Sequence, residues 1–178
     1  IKLIRFGPKG QEKPGLVDQD GAWRDVSAVI PDWTGDTVNE AHYANVRTRA
    51  LSDYPIVPSD TRMGAPIGNV PKIIGCALTY GKHAAEAGLE TPKEPMIMLT
   101  ARTAINGPYD DVIMPRGATE LDWEAELVVV IGKGGNYIPV EEAMGHVAGY
   151  CVGNDVSERQ FQLVRSSQWT KGKSADTL

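Results

Sequence analysis

Cysteine, histidine and phenylalanine are scarce in these 178 residues: two, three and two respectively. Neither Cys76 nor Cys151 lies in a CxxC or CxxH pattern. That excludes a zinc ribbon and a disulfide framework, and two lone thiols suit a reducing cytosol. No apolar run approaches the ~18 residues a spanning helix needs, and no signal peptide opens the chain, so a cytoplasmic location is expected. The formal charge is −5. Without a basic stripe to neutralise phosphates, a nucleic-acid partner is not expected. The chain does not start with Met, and a strand-like pattern breaks off at Asp176-Thr177-Leu178. Further chain is therefore expected.

What is present is 42% hydrophobic content, enough for one sizeable core or a core plus a small satellite domain. Lys2–Phe6, Gly15–Val17 and Trp23–Val29 read as short strands separated by turn residues, and Thr37–Ser52 as an irregular helix. His42 in that helix reads as a surface or packing residue. Residues 53–72 hold Pro55, Pro58, Pro66 and Pro71 and read as a linker or surface loop. The expected division is a small N-terminal domain with its linker, 1–70, and a second domain, 71–178. In the second part Lys72–Ala77 reads as a buried strand and Gly81–Ala87 as a helix stopped by Gly88. Met96–Leu99 and Val112–Met114 read as strands. Pro139 opens a helix with His146 in its last turn, where the dipole accounts for it. Val147–Val152 is a strand. Ser157 with Gln160 resembles a capping box opening a helix through about Arg165. The KGKS at Lys171–Ser174 lacks the glycine a phosphate-binding loop needs, because Ser167 stands there.

The most informative stretch is Leu121–Lys133, LDWEAELVVVIGK. Leu127–Ile131 reads as a buried strand, and Glu124 and Glu126, one residue apart, point the same way along it. Two close carboxylates repel, and a cation is the usual remedy, whereas a solvated strand entry needs none. Asp155, at a strand-to-helix junction, completes an all-oxygen set suited to Mg²⁺ or Mn²⁺, with Ca²⁺ also fitting. Arg159 and Gln162, three apart, share a helix face and suit a substrate carboxylate, or an ordinary solvated stripe. His83 and Glu86, also three apart, make either a general base with its orienting carboxylate or a surface ion pair. Lys173 is placed to stabilise an oxyanion or enolate, or is a solvated lysine.

In order and spacing, KIIGCALTYGKHAAEAG, Glu94-Pro95, LDWEAELVVVIGK, HVAGYCVGNDVSERQFQ and SQWTKGKSADT resemble the fumarylacetoacetate hydrolase (FAH) family. QEKPGLVD and WRDVS resemble the small N-terminal domain of its bacterial members. These include enzymes acting on diketo-deoxy-fuconate and proteins labelled ureidoglycolate lyases. The resemblance implies an α+β, mainly β fold of the mixed β-roll kind, incomplete here at its C-terminus. It also implies a Mg²⁺ or Mn²⁺ site and a homodimer. The family's metal ligands fall on Glu124, Glu126 and Asp155. Its water-activating dyad falls on His83 and Glu86. Its substrate-contacting residues fall on Tyr80, Arg159, Gln162 and Lys173, and its lid on about Gly88–Pro95.

Two departures stand out. Thr79 replaces the Asn that usually precedes the Tyr of the family's NYxxHA motif. Thr100 replaces a common Lys in the strand after Glu94-Pro95, with Arg102 nearby. The function implied is divalent-metal-dependent cleavage of a C–C bond in an acylpyruvate or other 2,4-diketo acid. The alternatives are a decarboxylase, isomerase or lyase on a 2-oxo acid, and a catalytically weak homologue that retains the metal.

Overall fold

The computed structural model describes residues 1–86 and 88–178; Ala87 lies outside the described residues. In chain order the strands are β1 (Lys2–Phe6), β2 (Lys13–Val17), β3 (Trp23–Asp25), β4 (Met63–Gly64), β5 (Ile73–Ala77), β6 (Met96–Thr100), β7 (Leu121–Asp122), β8 (Ala125–Ile131), β9 (Val147–Asn154) and β10 (Ser157–Glu158). The helices are α1 (Glu40–Val46), α2 (Gly81–Glu86), α3 (Val140–Ala143) and α4 (Trp169–Gly172). The class is α+β, mainly β, as the sequence implied. Among the described residues no helix is long and apolar enough to cross a membrane.

The chain forms two compact units. The first comprises Ile1–Val70, Asn106–Asp111 and Ala125–Asn154. Its antiparallel sheet runs β3-β2-β1-β4. Leu16, Val26, Ile30, Trp33, Val38, Val46 and Tyr54 form its core. The two large aromatics there keep their polar ends satisfied, because a buried donor without a partner is costly. Trp33 Nε1 donates to the Gly15 carbonyl at 2.9 Å, and the Tyr54 hydroxyl to the Val46 carbonyl at 2.9 Å. The expected helix over Thr37–Ser52 is shorter, because Asn39 caps it by accepting the His42 N–H. The third strand stops at Asp25, whose side chain accepts the Ser27 N–H and turns the chain.

The β8–β9 hairpin belongs to the first unit and pairs Glu126 with Gly153 and Leu127 with Val152. Val130 and Ala148 pack against the core. The expectation of a fully buried Leu127–Ile131 needs correcting. Leu127 is 62% and Val152 86% exposed, since β8 pairs with β9 alone among the described strands and its other face is uncovered.

His146 also needs a different account. It is buried, and its Nδ1 lies 2.7 Å from the Lys133 carbonyl oxygen across the hairpin. Hydrogen bonding and packing, not a helix dipole, explain it.

The second unit comprises Pro71–Ile105, Val112–Glu124 and Asp155–Leu178. Among the described residues it contains two two-stranded sheets, β5–β6 and β7–β10. Strand β5, expected to be buried, alternates between half-buried and exposed residues because β6 is its sole partner among the described strands. Val112–Met114, expected as a strand, is not one; there the Ile113 N–H is held by the Thr177 side chain at 2.9 Å. Helix α2 covers Gly81–Glu86, the expected last residue Ala87 lies outside the described residues, and Gly88, expected as the stop, has a φ of +67° that suits glycine. The Gly88 N–H donates to the Ala85 carbonyl and the Leu89 N–H to the Ala84 carbonyl, which together close a Schellman motif.

Candidate metal and substrate site

The site is built on the break between β7 and β8. Glu124 lies outside both strands, so strand alternation alone does not align it with Glu126. Its carbonyl accepts the Asp155 N–H at 2.9 Å, one step beyond the last β8–β9 pair of Ala125 and Asn154. That bond sets Glu124 and Asp155 side by side. One carboxylate oxygen from each of Glu124, Glu126 and Asp155 lies within 4.8 Å of the others.

Two cations bond to Glu124 and Asp155. Arg159 Nη1 donates to Glu124 Oε1 at 2.6 Å and to Gln162 Oε1 at 2.9 Å. Its Nε and Nη2 both reach Asp122 Oδ2, at 3.0 and 2.7 Å. Lys173 Nζ donates to Glu124 Oε2 at 2.9 Å, Asp155 Oδ2 at 2.7 Å and Ser157 Oγ at 2.6 Å.

These contacts set the charge states. Burial raises the Glu124 pKa, but Lys173 and Arg159 outweigh it and hold the carboxyl below the usual range. The hydrogen bond from Arg159 does the same for Asp122. Burial disfavours the Arg159 charge, yet Asp122 and Glu124 more than restore it. Arg159 thus pairs with Asp122 and Glu124, and Lys173 with Glu124 and Asp155, while Glu126 completes the acidic group. The donors are all oxygen, so the residues fit Mg²⁺ or Mn²⁺ better than a thiophilic metal.

The local backbone explains why these side chains converge. Ser157 does not cap a helix; it lies in β10, and its hydroxyl donates to the Asp155 carbonyl. The capping carboxylate is its neighbour Glu158. That side chain is fully buried and accepts the N–H groups of Thr119, Glu120 and Phe161 at 2.9, 2.8 and 2.6 Å. It thereby ties the strand before Glu124 to the turn that carries Arg159. Residues 160–164 then form a π-helical turn, with the Arg165 N–H donating to the Gln160 carbonyl at 2.8 Å, and Gln162 points inward. Gly172 lets Lys173 come close: a Cβ there would meet Gln162 Cβ at 2.6 Å and the Glu158 carbonyl at 2.7 Å.

Glu158→Gln keeps the size but turns an acceptor toward a donor, so a lower Tm is expected at neutral pH, by at least about 3 °C. Burial raises the Glu158 pKa, and the three backbone N–H groups more than offset it, leaving it lowered. A lowered folded-state pKa gives stability that is present above the unfolded value and lost as pH falls through the folded one. The Tm gap between wild type and variant should therefore shrink in acid. A constant gap from neutral pH down through the carboxyl range would contradict this.

The structure thus joins Glu124, Asp155, Arg159, Gln162 and Lys173 by direct hydrogen bonds, with Glu126 in the same acidic group. His83 and Glu86 lie exposed on α2, and among the described residues neither side chain makes a hydrogen bond or ion pair. Tyr80, just before α2, is exposed. Thr100 ends β6, and the next N–H, of Ala101, donates to Ser174 Oγ at 3.1 Å, beside Lys173. Arg102 is not on that strand but begins a 3₁₀ turn and is exposed. The sequence reading missed Asp122, Ser157 and Glu158. Asp122 was detectable, since Asp122, Glu124 and Glu126 recur at every second residue; nothing in the sequence marked Glu158.

The family described as fumarylacetoacetate (FAA) hydrolase, C-terminal, matches residues 72–178. The chain belongs to the fumarylacetoacetate hydrolase family. A protein of Burkholderia lata that carries the provisional name hydrolase is 48% identical over all 178 residues, which are 63% of that protein. Two solved structures are also similar. Fumarylacetoacetate hydrolase from Exiguobacterium antarcticum has a TM-score of 0.77 at 27% identity, over 99% of this chain and 62% of that one. A 5-carboxymethyl-2-hydroxymuconate delta-isomerase from Mycobacterium smegmatis has a TM-score of 0.71 at 31% identity, over 99% and 62%. The chain therefore spans somewhat under two thirds of the length of these relatives.

Proposed function

We propose that the protein is a divalent-metal-dependent hydrolase that cleaves a C–C bond in an acylpyruvate or related 2,4-diketo acid. The observation that carries this is the all-oxygen cluster of Glu124, Glu126 and Asp155, flanked by Lys173 and Arg159. A Mg²⁺ or Mn²⁺ ion held there would supply Lewis-acid polarisation of a 2-oxo acid. The remaining work falls to this chain's side chains. Arg159 and Gln162 orient the acid end of the substrate. A ring nitrogen of His83, with Glu86 to fix its tautomer, takes a proton from the water that attacks the distal ketone. The scissile C–C bond then breaks, its electron pair passes to the departing enolate, and the Lys173 ammonium balances that charge. Tyr80 adds a contact to substrate, and 88–95 serves as a lid. The enzyme works as a homodimer in the cytoplasm.

The test is turnover of acetylpyruvate, a bulkier diketo acid and oxaloacetate, each with Mg²⁺ and after EDTA treatment. Mg²⁺-dependent release of pyruvate from a diketo acid supports the reading; none from any diketo acid refutes it. A second reading, isomerisation of an unsaturated 2-oxo acid, is favoured by the Mycobacterium smegmatis isomerase among the similar structures. It needs no attacking water, so that activity would survive loss of His83.

The lysine expected at position 100 is a threonine, which ends β6 just before Ala101, whose N–H donates to Ser174 Oγ. The pocket therefore has one positive charge fewer and more room, which favours a substrate with an extra anionic or hydroxylated group. Thr100→Lys is expected to shift kcat/KM toward acetylpyruvate relative to the bulkier acid by roughly fivefold, the worth of about 1 kcal/mol of charge interaction. An unchanged ratio would put position 100 outside the pocket.

A further inference from the structure

We infer that Lys173 is an internal counter-cation which competes with a divalent ion for Glu124 and Asp155, so that loading the site is what frees its ammonium to act. The inference rests on the metal reading above and extends it to a coupling between cation and lysine. An ammonium has three protons to donate. Lys173 spends all three on Glu124 Oε2, Asp155 Oδ2 and Ser157 Oγ, with its side chain only 2% exposed. None is left for a substrate oxygen. Two of its three acceptors are carboxylates that a divalent ion would also draw on. The third, Ser157, is neutral and makes no such claim.

The backbone around Lys173 is fixed, by the close approach of Gly172 to Gln162 and by the Lys173 N–H donating to the Thr170 carbonyl at 3.2 Å. Although the lysine stem is buried, rotation about its four carbon–carbon bonds moves Nζ without moving Cα. When the charge of Glu124 and Asp155 is taken up by a divalent ion, Lys173 keeps Ser157 and regains two protons to donate. The ammonium that balances the enolate is thus available only in the loaded protein, and the order of binding is cation first, acid second. A different arrangement has Lys173 as a fixed support that holds the two carboxylates in place for the ion. The two predict opposite effects of removing the charge.

Lys173→Met keeps the stem and removes the ammonium. Calorimetric titration with MnCl₂ should give a Kd at least about tenfold lower for Lys173→Met than for wild type, because a cation a few ångströms from the site has been removed. Mn²⁺ should also raise the Tm of the variant by more than it raises that of wild type. An unchanged or weaker affinity would make Lys173 a support and overturn the inference. A second measurement needs only wild type. In a ¹⁵N-correlated spectrum of the lysine ammonium groups, the Lys173 signal should move on addition of saturating Mg²⁺; a signal that stays put overturns the proposal even if the variant fails to fold. If wild type binds no Mn²⁺ at all, the metal reading itself falls, and that result differs from binding that is indifferent to position 173.

Discussion

Glu126→Ala is expected to weaken Mg²⁺ or Mn²⁺ binding by at least roughly 100-fold, more than the loss of an outer-shell partner causes. The change removes one negative charge and one oxygen ligand from a set of three. It should leave the hairpin intact, because Glu126 pairs with Gly153 through its backbone and keeps that register without its side chain. Calorimetry gives the affinity, and Tm in the presence of EDTA gives the fold. Full affinity in a folded variant would move the site away from these carboxylates. Asp155→Asn is a harsher replacement than it looks: it also removes the charge that Lys173 meets at 2.7 Å, so it should lower the Tm as well.

The second large effect concerns the proton acceptor. His83→Ala should reduce hydrolysis by about 10²–10⁴-fold, the usual range for loss of a general base. Divalent-cation affinity and Tm should change little, since His83 is exposed on α2 and not among the grouped carboxylates. Glu86→Gln should cost less, because it alters the orientation and basicity of the imidazole and not its presence. Retention of near-wild-type hydrolysis in His83→Ala would make His83 and Glu86 an exposed pair with no part in the chemistry. Loss of hydrolysis with survival of isomerisation or decarboxylation would instead assign the water to His83 and the shared chemistry to the carboxylate cluster.

The legibility of this chain differed by element. The acid pair of Glu124 and Glu126 was visible because their spacing in front of an apolar run is unusual, and Asp155 followed from its place after a strand. Their convergence depends on a backbone bond between Asp155 and Glu124, which no side-chain pattern encodes. Strand positions were read well where turn residues bound a short apolar run, as in Lys2–Phe6, which matches β1 residue for residue. They were read poorly where one buried carboxylate overrides local preference. Ser157 and Gln160 look like a helix start, yet Glu158 takes the capping role and leaves Ser157 in a strand facing Lys173. A π turn after Arg159 cannot be read from residue periodicity, since it inserts one residue into the helical count.

Burial was overestimated for Leu127–Ile131 and Ile73–Ala77 for another reason. Apolar composition reports what a strand is suited to lie against, whereas burial in the described residues depends on which partners are there.

Oxalate, a planar dianion that mimics the enolate of pyruvate, tests the central claim most directly. If the grouped carboxylates hold a divalent ion that receives a 2-oxo acid, oxalate should bind the Mg²⁺-loaded protein in calorimetric titration. That binding should vanish after EDTA treatment and in Glu126→Ala. Oxalate binding of equal strength with and without the divalent ion would contradict the account.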